Sequence, residues 1–129
     1  MNAFFTQPAV LVFLGGGLGS LARYGIGRLV PASAMADGFP VAILAVNVVA
    51  SFLLGWVVGF GLARTGTEPV RLLLGVGFCG GLSTFSSFSQ DSLTLLQTGR
   101  IGTALLNIGL NVTLCLLASL SGLALGQRI

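Results

Sequence analysis

Four long apolar segments occupy most of this 129-residue chain, and they limit what the chain can fold into. They cover residues 8–29, 41–63, 70–98 and 101–126, and each reaches the length of roughly 20 residues that a helix needs to cross a bilayer. Main-chain polar groups must be satisfied internally in lipid, which favours helices over open sheets. The sequence therefore predicts an all-α membrane protein, a single domain over 1–129 with four transmembrane helices and short connections.

The composition excludes several classes of protein. Hydrophobic residues make up 54% of the chain, charged residues 7%, and the mean hydropathy is +1.00, so no soluble catalytic domain fits beside the spans. Enzymatic activity is not expected, because the chain has no histidine and its three acidic residues are far apart. The six arginines are scattered singly, which argues against nucleic-acid binding. The N-terminus lacks the positively charged region of a signal peptide, so the first segment is expected to be retained.

The arginines are balanced between the two ends of the predicted helices. Three lie at or toward one side and three toward the other: Arg23, Arg28 and Arg100 against Arg64, Arg71 and Arg128. Orientation normally follows an excess of positive residues in the cytoplasmic loops, and here there is no excess to follow. We therefore expect dual topology and an antiparallel homodimer, unless Arg23 lies too deep in the first span to count, which would leave a small bias.

Small residues recur at the spacing that brings helices close together. The G-x-x-x-G pairs are Gly15/Gly19, Gly55/Gly59 and Gly77/Gly81. Such pairs let helix backbones touch, and the tight packing leaves little room for a cavity inside one chain. A transport pathway in this protein would therefore need a second subunit. Cys79 and Cys115 lie in apolar runs without metal-ligand spacing and are expected to be small buried side chains.

Polar side chains within the apolar spans are the candidates for function, because an unpaired polar group in hydrocarbon is costly. Arg23 lies well inside the first span, where it is expected either to reach the headgroups or to attract anions in a vestibule. Asn47 lies near the middle of the second span and offers its amide to a ligand or to another helix. Asn107, Asn111 and Cys115 repeat every four residues on one face of the fourth span, which suits a water-filled path or bonds between helices.

The third span is interrupted by the stretch GFCGGLSTFSSFSQD, residues 77–91. Its glycines weaken a helix, and its hydroxyls can satisfy the main-chain groups that a break leaves free. The sequence therefore predicts a broken third helix, and freed carbonyls at such a break can coordinate a cation. Phe85 and Phe88 are three residues apart on one helical face. A phenyl ring has a positive edge that can stabilise an anion, although ordinary packing is the alternative explanation for the pair.

The stretch GFCGGLSTFSSFS resembles the central motif of the small bacterial fluoride channels called Fluc or CrcB. The similarity extends to GGGLGSLARY in the first span, to the asparagine of the second span and to the balanced arginines. The resemblance implies a dual-topology antiparallel homodimer in the lipid bilayer of the bacterial cytoplasmic (inner) membrane, which exports fluoride passively and confers fluoride resistance. It also implies a structural sodium ion that is not transported, held at the dimer interface by the main-chain carbonyls of Gly80 and Ser83.

The same resemblance implies which residues meet the anion. The implied fluoride pathway consists of Asn47, Phe85, Phe88, Asn107, Asn111 and Cys115, and the vestibule position of Arg23 rests on its depth in the first span alone. Three positions depart from the family pattern: Ser83 replaces a threonine, Ile43 lies where a pore-side threonine is common, and Asn107 lies where a tyrosine is common. The last two leave the fluoride-binding positions open, and Asp91, one turn beyond the phenylalanines, is assigned no role.

Two other functions are compatible with four short spans. A small multidrug exchanger would need a carboxylate within the membrane, but Asp37 and Glu68 are expected in loops, which leaves only Asp91 near the end of the third span. An accessory subunit of a larger complex would explain the glycines but not the polar motif of the third span. Efflux of fluoride compared with chloride from liposomes would separate these possibilities.

Overall fold

The computed structural model describes residues 7–30 and 38–129, and within them every regular element is a helix. Helix α1 spans Pro8–Leu29 and α2 spans Val41–Ala63. Helix α3 covers residues 68–82, where the π-helical stretch Arg71–Cys79 lies between short α-helical turns at Glu68–Val70 and Gly80–Leu82. Helix α4 spans Phe85–Gln97 and α5 spans Ile101–Arg128.

Four segments of the described chain are long and apolar enough to cross a membrane: Pro8–Leu29, Val41–Ala63, Glu68–Gln97 and Ile101–Arg128. The third contains both α3 and α4, so the prediction of an all-α membrane protein with a broken third helix is confirmed. This span begins at Glu68, whose carboxylate accepts two hydrogen bonds from Arg71, at 2.7 and 2.8 Å. The first connection, predicted over 31–40 and including Asp37, lies mostly outside the described residues.

Helices α1 and α3 meet through their glycines. A Cβ atom on Gly15 would overlap the carbonyl oxygen of Leu73, and one on Gly19 would overlap that of Phe78. In the other direction, a Cβ atom on Gly81 would overlap a main-chain carbonyl of α1. The two backbones are therefore in direct contact, as the G-x-x-x-G pairs on both helices predict. This contact fixes the end of α3 immediately before the break in the third span.

Helices α2 and α5 form a second pair of the same kind. A Cβ atom on Gly55 would overlap a main-chain carbonyl of α5, and one on Gly122 would overlap the carbonyl oxygen of Phe52. Gly59 and Gly126 repeat this arrangement one turn further along. The missing side chains of the glycines on each helix thus leave room for main-chain carbonyls of the other helix. The pair on α5, Gly122 and Gly126, has the same four-residue spacing as the predicted pairs but was not predicted from the sequence.

The π-helical stretch Arg71–Cys79 lies between α1 and α2. A Cβ atom on Gly77 would be 2.9 Å from the Cα atom of Gly15 in α1. A Cβ atom on Gly75 would be 3.4 Å from side-chain atoms of Leu54 and Val57 in α2. Short π-helical stretches are frequent at functional sites, and here the stretch leads directly into the break.

A small apolar core lies beside the break. Its buried members are Val46, Ala50, Cys79 and Leu82, and Ala22, Ile26, Leu53 and Phe78 pack against them. Cys79 is therefore a small buried side chain, as predicted. Many large apolar side chains elsewhere on the helices face outward, among them Phe13, which is 78% exposed. A bilayer accepts such a surface, because lipid tails are as apolar as the side chains themselves.

Candidate functional site

The break in the third span consists of two extended residues, Ser83 and Thr84. Their φ and ψ angles are −73° and 156° for Ser83 and −151° and 113° for Thr84. The Thr84 hydroxyl oxygen then accepts a hydrogen bond from the main-chain N–H of Ser87 at 3.2 Å, which satisfies one of the free donors at the start of α4. Thr84 is therefore the N-cap of α4, and Ser83 before it is the C-cap of α3.

Asn47 of α2 holds the break open. Its Oδ1 accepts a hydrogen bond from the main-chain N–H of Thr84 at 2.8 Å, and its Nδ2 donates to the Thr84 carbonyl at 3.4 Å. In a continuous helix that N–H would bond to the carbonyl of Gly80. The Asn47 amide thus replaces a main-chain partner and leaves the Gly80 carbonyl without its helical donor.

A chain of side-chain hydrogen bonds runs from Asn47 into the protein, and we call Asn47, Asn111, Asn107 and Ser92 the amide chain. Nδ2 of Asn47 donates to Oδ1 of Asn111 at 3.0 Å, and Nδ2 of Asn111 donates to Oδ1 of Asn107 at 2.9 Å. Nδ2 of Asn107 donates to Oγ of Ser92 at 3.0 Å, and that hydroxyl donates to the carbonyl of Phe88 at 2.8 Å. The chain connects α2, α5 and α4 through the apolar interior.

A cleft of about 260 Å³ opens beside the break. It is lined by Asn47, Ser51, Ser83, Thr84, Phe85, Phe88, Asn111, Val112 and Cys115. None of these residues is charged, and amide, hydroxyl and aromatic groups provide its polar character. Five of the residues proposed from the sequence for an anion pathway are therefore brought together, and Cys115 lies half-buried among them rather than in the core.

The two other residues proposed from the sequence lie outside the cleft. Asn107 has no exposed surface and lies behind Asn111, so any contact of Asn107 with an anion stays a prediction. Arg23 is half-buried, and its Nη1 donates a hydrogen bond to the main-chain carbonyl of Ser83 at 3.3 Å. Its guanidinium group is thus placed at the break, at the carbonyl that was also proposed to bind sodium.

The paired phenylalanine rings stand at the edge of the cleft. Their centroids are 5.5 Å apart and the ring planes meet at 51°. Phe88 is half-buried, whereas Phe85 is 79% exposed. A tilted pair presents ring edges as well as faces to a neighbour, and the edges carry the positive part of the quadrupole. Both rings and the amide of Asn47 line the cleft.

Main-chain oxygens are the candidate metal ligands at this site. Among the described residues no group of three or more histidine, cysteine, aspartate or glutamate side chains could hold a metal ion. The carbonyl of Gly80 has lost its helical donor, and Gly80 is exposed with open space around its Cα atom. Oxygen donors of this kind suit a hard cation such as sodium, so the residues present are compatible with one.

Sequence reasoning did not single out Ser51, Ser92 or Val112. Ser51 follows Asn47 at four residues and lines the cleft, and Ser92 follows Phe88 at four residues and ends the amide chain. This helical spacing was the available signal for both serines. Val112 is an ordinary apolar residue of α5, and nothing in the sequence distinguishes it. Asp91 lies half-buried on α4 and is not among the residues that line the cleft.

Known proteins match this chain over nearly its whole length. The family described as "CrcB-like protein, Camphor Resistance (CrcB)" matches residues 10–123. A relative from Pyrococcus horikoshii is 42% identical over 129 residues, which is 99% of this chain and 100% of the relative. A relative from Pyrococcus furiosus is 45% identical over 95% of this chain and 98% of the relative. A relative from Thermus thermophilus is 46% identical over 93% of this chain and 95% of the relative. All three are named "Fluoride-specific ion channel FluC". This chain belongs to the CrcB-like protein family.

Proposed function

We propose that this protein is a fluoride-selective ion channel that exports fluoride passively across the cytoplasmic membrane and so confers fluoride resistance. The observation that carries the proposal is that relatives 42% to 46% identical over at least 93% of the chain are named fluoride-specific ion channels. The protein is a multi-pass membrane protein and not an enzyme. Fluoride leaves the cell along its electrochemical gradient, without coupling to a second substrate.

The chemistry of the cleft suits a small anion. Fluoride is strongly hydrated, so a selective path must replace its water with hydrogen-bond donors. Asn47 offers an amide, Ser51 and Thr84 offer hydroxyls, and Phe85 and Phe88 offer ring edges. No lining residue carries a negative charge that would repel the ion, and none carries a positive charge that would hold it too tightly.

A second copy of the chain completes the pathway. The cleft opens on the protein surface, where Phe85 and the hydroxyls of Ser86 and Ser89 are exposed. Polar side chains that face lipid are costly, which disfavours a free monomer in the membrane. An antiparallel partner covers this face, and the balanced arginines allow both orientations to insert. The functional unit is therefore an antiparallel, dual-topology homodimer.

A structural sodium ion joins the two breaks. Two copies of Gly80 and Ser83 offer four main-chain carbonyls, and the Gly80 carbonyl has no helical donor because Thr84 bonds to Asn47. The Ser83 carbonyl accepts one hydrogen bond from Arg23, which leaves its second lone pair for the cation. When bound, the ion supplies a fixed positive charge at the subunit interface and is not transported.

Ion efflux from liposomes tests the proposed function. Purified protein is reconstituted into vesicles loaded with potassium fluoride or potassium chloride, and a potassium ionophore removes the opposing potential. We expect rapid fluoride release that is independent of a proton gradient. Chloride release should not exceed that from vesicles loaded with the same salt but containing no protein. Equal release of both anions would contradict selectivity. Fluoride movement only when driven by protons would indicate an exchanger, and no movement at all would indicate an accessory subunit.

A further inference from the structure

We propose that Ser92 is a positioning residue, which acts through Asn107 to fix the orientation of the amides that face the anion. The inference rests on the proposed channel function, since it assigns a role within that pathway. Ser92 is 6% exposed and does not line the cleft, so it acts without touching the ion.

Each end of the amide chain is bonded to a main-chain group that can act only as a hydrogen-bond donor or only as an acceptor. At one end the N–H of Thr84 can only donate, and it donates to Oδ1 of Asn47. At the other end the carbonyl of Phe88 can only accept, and it accepts from the hydroxyl of Ser92. Every amide between these ends must therefore point its oxygen toward Thr84 and its nitrogen toward Phe88.

The Phe88 carbonyl fixes the direction of the Ser92 hydroxyl, and that hydroxyl in turn fixes the orientation of the Asn107 amide. Because the hydrogen of the Ser92 hydroxyl is bonded to the carbonyl of Phe88, its oxygen is left to accept a hydrogen bond. Asn107 must then turn Nδ2 toward Ser92, at 3.0 Å, and Oδ1 toward Asn111. If Asn107 were reversed, its NH₂ group would face the NH₂ group of Asn111. That conflict would occur at a residue with no exposed surface, where water does not supply another partner.

Asn111 is the residue through which this constraint reaches the cleft. Its Nδ2 donates to both the carbonyl and Oδ1 of Asn107, at 3.0 and 2.9 Å, which leaves Oδ1 to accept from Asn47. Asn47 and Asn111 both line the cleft, so their orientation decides which atoms an anion meets. Loss of the Ser92 hydroxyl leaves Nδ2 of Asn107 without its acceptor, so the Asn107 amide is no longer held in place and Asn111 can lose one of its two acceptors.

Functional measurements on variants test the role of Ser92. We expect Ser92→Ala to lower fluoride efflux per folded dimer about fivefold, the effect of losing one hydrogen bond of ordinary strength. Ser92→Thr keeps the hydroxyl and should restore most of the efflux. Ser121→Ala is the matched control, because Ser121 makes the same bond, to the carbonyl four residues earlier at 2.8 Å, on an exposed face of α5. An equal loss in Ser92→Ala and Ser121→Ala would overturn the proposal.

A double variant separates positioning from packing. If Ser92 acts through Asn107, efflux by Ser92→Ala/Asn107→Ala should equal that of Asn107→Ala alone. If Ser92 acts instead by packing, or through the main chain of Phe88, the two losses should multiply, and the proposal fails. Efflux by the unsubstituted protein is measured in the same series, and its absence would count against the channel function.

Side-chain amide resonances give a test that does not depend on transport. The chain has four asparagines, Asn2, Asn47, Asn107 and Asn111, so protein labelled with ¹⁵N-asparagine gives few signals to assign. In Ser92→Ala the Nδ2 signals of Asn111 should shift together with those of Asn107, although Ser92 is hydrogen-bonded to Asn107 and not to Asn111. A shift confined to Asn107 would refute the proposed transmission, even in a protein that conducts fluoride.

Discussion

Replacement of Phe85 by isoleucine tests whether its ring acts on the anion or only packs. In the single chain Phe85 is 79% exposed, so its own chain covers about one fifth of the ring. An aromatic side chain has roughly 150–250 Å² to bury, so about 30–50 Å² is covered here. At roughly 25 cal/mol per Å² this contributes about 1 kcal/mol, and isoleucine keeps most of it. The chain should therefore fold as before.

The effect on transport should be much larger than the effect on folding. Isoleucine keeps the apolar bulk of the side chain but removes the positive ring edge, so we expect fluoride efflux per folded dimer to fall by about tenfold or more, equivalent to about 1.4 kcal/mol in the barrier. Phe88→Ile should lower efflux similarly but cost more stability, since Phe88 is half-buried.

The assay is fluoride efflux from liposomes, divided by the amount of folded dimer measured by gel filtration in detergent. Phe13→Ile is the control, because Phe13 on α1 is 78% exposed and does not line the cleft. Its efflux should match that of the unsubstituted protein. Unchanged efflux in Phe85→Ile, or a loss fully explained by less folded dimer, would show that the ring only packs.

Three further predictions concern assembly, packing and the cation. Cysteine introduced at exposed Thr65 should react with a membrane-impermeant reagent from both sides of the membrane, and labelling from one side only would contradict dual topology. Gly122→Ala should destabilise the protein by about 1–3 kcal/mol in detergent unfolding, because its Cβ would overlap the carbonyl of Phe52, whereas Gly102→Ala, with open space around it, should not. Ser83→Ala should keep sodium-dependent efflux, because the proposed ligand is the carbonyl; loss of the sodium dependence would make the hydroxyl the ligand.

The spans and the break were predictable because their causes are local in the sequence. A segment that must hide its main-chain polar groups in lipid has to be apolar and helical over a fixed length. Residues 77–91 place glycines and hydroxyls in the middle of such a segment, and the structure breaks there at Ser83 and Thr84. Thr84 supplies the cap that restarts the helix.

The partners of the polar side chains were not predictable from their spacing. For Asn47 and Asn111 the sequence left two alternatives, contact with a ligand and bonding between helices. The structure shows the bonding between helices, since the two residues bond to each other. Both also line the cleft, and their contact with a ligand stays a prediction. Asn107 is also an asparagine and lies four residues before Asn111 on the same helix, yet it is fully buried behind Asn111. Such differences depend on how α2, α4 and α5 are placed, which no single segment determines.

The position of Arg23 could not be decided from its depth in α1. The sequence left two alternatives, the headgroups or an anion-attracting vestibule, and both stay predictions. The structure adds that the guanidinium donates to the carbonyl of Ser83. That acceptor exists only because the third span is broken opposite α1. The break in the third span thus determines the environment of the Arg23 guanidinium in the first span. The glycine pair of α5 was missed for a related reason, since twenty glycines give many chance spacings.

The interleaved helix pairs constrain the order in which this protein can assemble during synthesis. Helix α1 makes its tightest contact with α3, and α2 makes its tightest contact with α5, so the closest partner of each early helix is not the helix that directly follows it. Helix α2 must wait for the whole of α5 to leave the ribosome, which takes several seconds at about 5–20 residues per second. During that interval the glycine faces of α2 have no partner. A stalled or truncated product therefore exposes the glycine face of α2, and native packing is complete only when the last span has entered the bilayer.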